Sequence, residues 1–439
     1  MTAADVRVPH ARWIVLGAGL TVCGLMLWWT RTFVWYFDEW TFITASIGWT
    51  WSSYLEPHNE HPTMLLKLAY TALLNTVGLS SYVPYMAGVL VAHLANVLLL
   101  FALVRRRAGE LIALVAALLL LVIGMGWEDL FWAFQVGWLA STAFGLAAVL
   151  VLQSDHRWRA PLSAGLLAVS LAWAGTGIVF AVALGVQLLV TPARRRDLAW
   201  FVAPAVALGA WYAAFGRFGQ HPNPQPTAAN ILIDPLYTVW GLSQGIAGVI
   251  GVAGWLGYGL LAAGVLALGW RWRRRGLDSF STGMVAGLVS FFLVAGLTRA
   301  QLGWQQSGAS RYVYVAAVIW LVLLGEAARE LPWRGTWRPA LLALAFLGVF
   351  NSAVVLVEYG AAKTLQMQRA VADLQALAAE RRDPCLDPTG KVDLLVMPDV
   401  EPPAYYRAID RYGDPAAGKP IVDRADYEIA VANLRRPGC

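Results

Sequence analysis

Charged residues are scarce in this chain of 439 residues, since Lys, Arg, Asp and Glu together make up only 14% of it. An average soluble domain carries about a quarter. Hydrophobic residues reach 58%, and there are 22 tryptophans, whose amphipathic rings gather at both surfaces of a bilayer. The scarcity of charge excludes an ordinary soluble domain and indicates a polytopic protein in a lipid bilayer.

A site for signal-peptide cleavage is also lacking. The first apolar run ends in WWTRTF at 28–33, where a cleaved leader would carry small residues. We therefore expect this run to remain in the membrane as a signal anchor.

The basic residues form short clusters between apolar runs, so the net charge of +6 does not indicate a nucleic-acid-binding protein. Such clusters mark the cytoplasmic ends of membrane spans. They are Arg7 with Arg12, Arg105–Arg107, His156–Arg159, Arg194–Arg196, Arg271–Arg275, and Arg329 with Arg334 and Arg338. If all of them are cytoplasmic, the N-terminus is cytoplasmic and the chain crosses an even number of times between neighbouring clusters.

Apolar runs of about 20 residues cross the hydrocarbon core as helices. Matching runs to clusters predicts an all-α polytopic plasma-membrane protein with about eleven transmembrane helices. The run 160–192 is long enough for two short spans, broken at Trp173–Gly177. The run 236–270 is expected to begin with an interfacial or re-entrant helix. Two full spans there would give an odd number of crossings between the basic clusters at Arg194–Arg196 and Arg271–Arg275.

The chain changes character after Glu358, where it becomes charged and rich in proline. We expect a membrane module over residues 1–358 and a small extracytoplasmic α/β domain over 359–439. In that domain a helical stretch precedes a short strand-like segment at Val392–Met397.

Cysteine is nearly absent, with three residues in the whole chain. Cys385 and Cys439 both lie in the predicted external domain, where the compartment permits a disulfide; two free thiols are the alternative. Cys23 falls in the first span and is expected to be a small apolar residue.

The first predicted external loop concentrates polar groups among aromatic rings, and its sequence over 37–62 is FDEWTFITASIGWTWSSYLEPHNEHP. Asp38 and Glu39 follow the first span directly, and a carboxylate held at the interface can act as a general base on a hydroxyl group. Two amphipathic stretches, one on each side of the turn EPHNEHP, are expected to lie in the interface as helices and to cover these acids from solvent. The alternative is a pair of solvated loop acids.

The turn EPHNEHP contains His58, Glu60 and His61. These side chains could supply ligands to a divalent cation. Their spacing is not that of a helix-borne zinc pair, however, and the flanking prolines predict an extended turn. We therefore predict no metal site but a turn that contacts a phosphate or orients an acceptor. A divalent cation and a purely structural loop are the alternatives.

Two further external loops bring acids and bases to the same membrane face. The second loop carries Glu128, Asp129 and Gln135. These residues are expected to support the site or bind an acceptor, and a helix cap is the alternative. In the fifth loop, Arg299 and Arg311 flank a stretch without a compensating acid, and Tyr312 follows. The arginine pair suits a phosphate at headgroup level, whereas either arginine alone fits a snorkelling role.

These features resemble the polytopic GT-C glycosyltransferases, which include protein O-mannosyltransferases, aminoarabinose transferases and mycobacterial arabinosyl- and mannosyltransferases. FDEW at 37–40 stands where that superfamily has an acidic motif after its first span. EPHNEHP at 56–62 is similar to the turn with His and Glu in the same loop of many bacterial members. The resemblance covers the membrane region as architecture. The tail departs from members that have large carbohydrate-binding C-terminal domains.

The resemblance implies an inverting transferase that moves a sugar from a polyprenyl-phosphate donor to a hydroxyl group of an envelope glycan, lipid or protein. Asp38 is implied as the base that deprotonates the acceptor, with Glu39 as substitute or helper. The candidates for contact with the donor phosphate are Arg299, Arg311, Tyr312, His58 and His61.

Few charges lie deep within the predicted spans, and no internal repeat is evident. A transporter or flippase of lipid-linked saccharides would be expected to show both, and it is the main alternative to a transferase. A non-catalytic scaffold of envelope assembly and a lipid-dependent ligase or phosphotransferase are further alternatives.

Overall fold

The computed structural model describes residues 2–218, 226–421 and 423–439. Within these ranges the fold is helical, and no β-strand is formed. The α-helices are α1 (Ala11–Trp29), α2 (Asp38–Ser46), α3 (Met64–Thr76), α4 (Val83–Ala108), α5 (Glu110–Leu121), α6 (Trp127–Phe131), α7 (Val136–Leu152), α8 (Arg159–Trp173), α9 (Gly177–Leu189), α10 (Leu198–Ala214), α11 (Ala229–Gly248), α12 (Leu256–Arg275), α13 (Ser279–Arg299), α14 (Ser310–Ala328), α15 (Trp337–Glu380), α16 (Pro402–Tyr412) and α17 (Arg424–Leu434).

Seven helical segments in the described ranges are long and apolar enough to cross a membrane, namely those that contain α1, α4, α7, α10, α13, α14 and α15. An eighth is added if α5 and the segment Gly124–Phe131, bent by 46° at a short break, form one span. The structure thus has the predicted all-α membrane architecture, and the count of about eleven crossings is not confirmed. The run 160–192 divides into α8 and α9, whose 15 and 13 residues fall short of the roughly 20 that a span needs.

Helix α14 lies at the centre of the bundle. Every residue from Tyr312 to Leu323 is buried, as expected for a helix that is apolar on all sides. Helices α4, α5, α11, α12 and α13 pack around it. In contrast, α10 buries only Phe201 and Pro204.

The arginine clusters meet at one end of the bundle. Arg107 and Arg271 both pair with the buried Glu326 of α14, and the Arg271 Nη2 to Glu326 Oε2 distance is 2.5 Å. Elsewhere, Arg159 Nη2 lies 3.4 Å from Asp197 Oδ2, which joins the start of α8 to the start of α10. Clusters that are far apart in sequence therefore share a side of the molecule.

The predicted helices of the first external loop are present as α2 and α3. Between them lie a 3-10 turn at Ser52–Tyr54 and the turn that contains the two histidines. Helix α3 packs against α7 and α8, and α2 packs against α16 of the tail.

The tail is helical, and the predicted strand at Val392–Met397 is wrong. These residues form a turn in which Asp393 Oδ1 accepts hydrogen bonds from the backbone N–H groups of Leu395 and Val396, at 2.5 and 3.2 Å. A side chain that captures backbone donors in this way competes with strand formation. The expected α/β character of 359–439 is therefore not found. Helix α15 runs unbroken through residue 358, and the division into two domains stays a prediction.

Cys385 and Cys439 form a disulfide, with 5.8 Å between their Cα atoms. Cys23 is a free, half-buried thiol on α1.

The tail also packs tightly on the first loop. The Trp40 and Tyr405 rings lie 5.2 Å apart, and the Leu79 N–H donates to the Tyr412 carbonyl at 2.8 Å. Gly78 has a φ of +63°, and a Cβ there would come within 2.3 Å of that carbonyl oxygen. Only glycine suits this contact between loop and tail.

Candidate active site

Asp38 is the first residue of α2, where a negative charge is favoured by the helix dipole. Its side chain is 22% exposed, and its Oδ2 lies 3.6 Å from His58 Nε2. The His58 ring packs edge-on against Phe42 and Phe134, with centroids 5.0 and 5.3 Å away. A partly exposed carboxylate is thus held beside an imidazole whose position is fixed by aromatic packing.

Glu39 is fully buried and serves as an anchor for neighbouring elements. Its carboxyl group accepts hydrogen bonds from the Tyr70 hydroxyl at 2.8 Å, the Tyr82 hydroxyl at 3.1 Å and the Tyr36 N–H at 3.1 Å. Burial raises the pKa of Glu39 to about 8, although these hydrogen bonds oppose the shift. Because Glu39 has no exposed surface, it does not contact an acceptor in this arrangement. Its hydrogen bonds to Tyr70 and Tyr82 connect α2 to α3 and to the start of α4.

The two histidines close one turn but face different surroundings. Their backbone N–H and carbonyl groups are paired reciprocally at 3.1 Å, and Asn59 between them has a φ of 51°, which asparagine tolerates well. The His61 ring turns away from Asp38 and packs against Trp138, with centroids 5.7 Å apart. Burial and the nearby Arg299 lower the pKa of His61 to about 3, so this ring is neutral at physiological pH.

Both site arginines are already paired with acids. Arg299 Nη2 lies 2.6 Å from Glu60 Oε2, and Arg311 Nη1 lies 2.9 Å from Glu128 Oε1. The stretch between these arginines contains no acid, as the sequence shows, and the compensating acids come from other parts of the chain. The charge of Arg299 in turn lowers the pKa of Glu60, against the opposing effect of burial.

A small cavity beside the turn has a mostly apolar wall with a few polar side chains. It has a volume of about 90 Å³, and its polar lining includes Glu60, His61, Thr176, Arg299 and Tyr312. The Thr176 hydroxyl is buried and has no hydrogen-bond partner among the described residues. Four predicted site residues thus meet around one cavity, and Thr176 joins them.

The residues of the predicted second external loop contribute unequally to the site. Glu128 reaches Arg311, and its backbone N–H donates to Ser310 Oγ at 2.9 Å. Asp129 is fully buried, and neither of its carboxylate oxygens has a partner among the described residues. Gln135 is 2% exposed. Neither Asp129 nor Gln135 lines the cavity beside the turn.

Lys363 of α15 is a buried amine near the site that the sequence pattern does not indicate, and burial lowers its pKa to about 7. Its Nζ lies 3.4 Å from the centroid of the Tyr36 ring and donates to Gln366 Oε1 at 2.8 Å. It lies more than 300 positions downstream of the first loop, and a lone lysine after an apolar run carries no signal of such a contact.

An apolar groove begins beside the site and runs along the bundle between α3, α4, α7 and α8. It has a volume of about 450 Å³, and its lining is almost wholly apolar, including Leu73, Val91, Leu99 and Phe144. At one end it is lined by Tyr70, whose hydroxyl donates to Glu39. A long apolar chain in this groove would end within the hydrogen-bonded cluster that anchors α2.

Within the described ranges, no group of three or more His, Cys, Asp or Glu side chains is arranged to hold a metal ion.

Comparison with known proteins gives no relative. No protein-family model, no curated protein and no solved structure matches this chain.

Proposed function

We propose that this chain is an inverting glycosyltransferase of the GT-C type. It would move a sugar from a polyprenyl-phosphate donor to a hydroxyl group of an envelope glycan, lipid or protein. One observation carries the proposal: a partly exposed Asp38 lies beside His58, and an apolar groove ends at Tyr70, one hydrogen bond from Glu39. This arrangement suits a reaction between a polar acceptor and a lipid-linked donor.

The proposed topology has about eleven crossings, with a cytoplasmic N-terminus and with the site and the tail outside the plasma membrane. It is supported by the meeting of arginine clusters around Glu326, because clustered arginines mark cytoplasmic ends. The bent pair of α5 and the segment Gly124–Phe131, the short helices α8 and α9, and α12 would supply the crossings beyond the seven long apolar segments, with α11 re-entrant.

In the proposed reaction, Asp38 accepts the proton of the acceptor hydroxyl. The acceptor oxygen forms a bond to the anomeric carbon, the bond from that carbon to the phosphate oxygen breaks, and its electron pair leaves with polyprenyl phosphate. The geometry at the anomeric carbon is inverted, and no covalent enzyme intermediate is formed. Base catalysis of this kind contributes about 10²–10⁴-fold.

The leaving phosphate gains one negative charge in this step. Arg299 and Arg311 retain N–H groups beyond those that contact Glu60 and Glu128, since a guanidinium carries five donors. Burial lowers the pKa of the nearby Lys363 to about 7, so this side chain adds a third positive charge only in its protonated form. Donors fixed in place before the reaction stabilise such developing charge with little reorganisation.

The test is transfer by the purified full-length protein in detergent. A panel of radiolabelled polyprenyl-phosphate sugars is supplied with lipid and glycan extracts of a cell envelope, and label that leaves one donor for an acceptor supports the proposal. Asp38→Asn is expected to abolish transfer and to retain donor binding. Asp155→Asn, at an exposed aspartate in the loop before α8, is the matched control.

Three results would contradict the proposal. Undiminished transfer by Asp38→Asn would remove the assigned base. Donor binding without transfer under every acceptor condition would favour the transporter or flippase instead, and movement of labelled donor across proteoliposomes would then identify it. Absence of donor binding altogether would leave the envelope scaffold as the remaining alternative.

A further inference from the structure

The residue directly before Asp38 has an unusual backbone conformation. Phe37 has φ 55° and ψ −131°, and only two other described residues besides glycines have a positive φ, namely His10 and Asn59. Sterically, this region is nearly closed to residues that have a Cβ atom. Phe37 is bulky and keeps this conformation only where the surroundings impose it.

The tail provides the contact that holds Phe37. The Phe37 N–H donates to the Val396 carbonyl at 2.5 Å. That carbonyl belongs to the turn closed by Asp393 Oδ1, which binds the N–H groups of Leu395 and Val396. Asp393 Oδ2 in turn lies 2.8 Å from Arg369 Nη2 on α15. A continuous series of contacts therefore runs from α15 through the Asp393 turn to the residue before Asp38.

The rest of α2 is held independently of this turn. Glu39 is bound by Tyr70 and Tyr82, and the Trp40 ring packs on Tyr405. Loss of the Val396 contact would therefore let Phe37 relax toward negative φ while the helix beyond Glu39 stays in place. The displacement would be concentrated at Asp38, which is also the residue that faces His58.

We propose that Asp393 is a positioning residue for Asp38, acting through the Val396 carbonyl and the constrained backbone of Phe37. This inference rests on the proposed transferase function for its consequence on rate. It gives the tail a role within the site, because the tail fixes the direction in which the general base points. Asp393 does not itself touch a substrate.

The experiment combines a break in the turn with relief of the backbone constraint. Asp393→Ala removes the acceptor of the two N–H groups, whereas Asp393→Asn retains an oxygen at the same place. Phe37→Gly allows the positive φ without steric cost, and Phe37→Ala removes the same ring but keeps the Cβ atom. Each Phe37 substitution is made alone and with Asp393→Ala. Hydrogen exchange of the peptide that contains Asp38–Ser46, transfer kcat, KM and melting temperature are measured for every variant.

We expect Asp393→Ala to increase exchange at the start of α2 at least fivefold and to lower kcat at least tenfold with little change in KM. Asp393→Asn should retain half of the wild-type kcat or more. Adding Phe37→Gly to Asp393→Ala should recover most of the protection and of kcat, whereas adding Phe37→Ala should not. If Asp393 only stabilised the turn, Asp393→Ala would lower the melting temperature, and Phe37→Gly would restore kcat no better than Phe37→Ala.

Unchanged exchange in Asp393→Ala, or equal rescue by Phe37→Gly and Phe37→Ala, would overturn the positioning role. The exchange measurement needs no substrate, so it separates this proposal from the proposed function. If exchange responds as expected and the wild-type protein transfers no sugar, the positioning role of Asp393 is supported and the proposed transferase function is wrong.

Discussion

Arg299 and Glu60 lie 239 positions apart in the chain and form an ion pair with 2.6 Å between Nη2 and Oε2. Their side chains are 9% and 21% exposed, so the pair is largely removed from water. A phosphate that reaches Arg299 must therefore share it with a carboxylate. On the proposed function, the pair would therefore influence both the affinity for the donor phosphate and the stability of the turn that carries Glu60.

Opposite effects on donor binding are expected from the two halves of this pair. Arg299→Gln should weaken binding of a polyprenyl-phosphate sugar about tenfold, or about 1.4 kcal/mol, whereas Glu60→Gln should strengthen it by freeing the guanidinium. Both substitutions should lower the melting temperature, because each leaves a partly buried partner uncompensated. Equilibrium binding of labelled donor checks this. Arg381→Gln, in the exposed pair with Asp410, is the control, and weaker binding in both site variants would argue for a structural pair.

Asp38 and His58 are expected to act as one unit. Asp38→Asn should reduce kcat by about 10²–10⁴-fold, and His58→Gln should reduce it less, because the imidazole orients the base. The double variant should be no slower than Asp38→Asn alone, since residues in contact give non-additive effects. Single-turnover transfer measures all three proteins. Multiplicative losses in the double variant would show that His58 acts independently of Asp38.

Glu39 should make stability depend on pH. Its pKa is about 8 in the folded protein and 4.5 in the unfolded reference, so between these values the folded state binds one more proton than the unfolded state. Stability from this group is therefore full below pH 4.5 and is lost as the pH rises toward 8. The melting temperature in detergent should fall over that window in the wild type, and less so in Glu39→Gln. Glu39→Ala should be less stable at every pH, because buried tyrosine hydroxyls lose their partner. An identical pH profile in wild type and Glu39→Gln would contradict this.

The apolar groove should discriminate donors by the length of their lipid. Ala95→Trp and Ala147→Trp each place a large ring among the lining residues and should reduce transfer from a long-chain donor at least tenfold. A short-chain analogue should be much less affected. Ala207→Trp, on an exposed position of α10, provides the control. Equal losses with both donors would show that the substitutions disturb the fold instead of the lipid site.

The sequence predicts those features that depend on local pattern. Apolar runs indicate the membrane helices, the amphipathic stretches after Asp38 indicate α2 and α3, and the shared compartment of Cys385 and Cys439 indicates their disulfide. The break between α8 and α9 also follows from the local sequence WAGTG.

Features that depend on long-range contacts are not predicted. The acids that pair with Arg299 and Arg311 come from loops near the start of the chain, and Lys363 reaches Tyr36 only through the fold. The strand expected at Val392–Met397 fails for a related reason. A short apolar segment forms a strand only beside a neighbouring strand, whereas the Asp393 side chain offers a nearer partner to the backbone N–H groups of Leu395 and Val396.

Helix α15 has 44 residues and, at about 1.5 Å per residue, is about 66 Å long. The hydrocarbon core of a bilayer is about 30 Å thick, so a large part of this helix must project beyond it. The tail is therefore joined to the apolar part of α15 by continuous helix and not by a flexible linker. The tail also packs on the first loop through Trp40 and Tyr405, so the length of α15 that projects from the bilayer and the height of α2 above it are matched to each other.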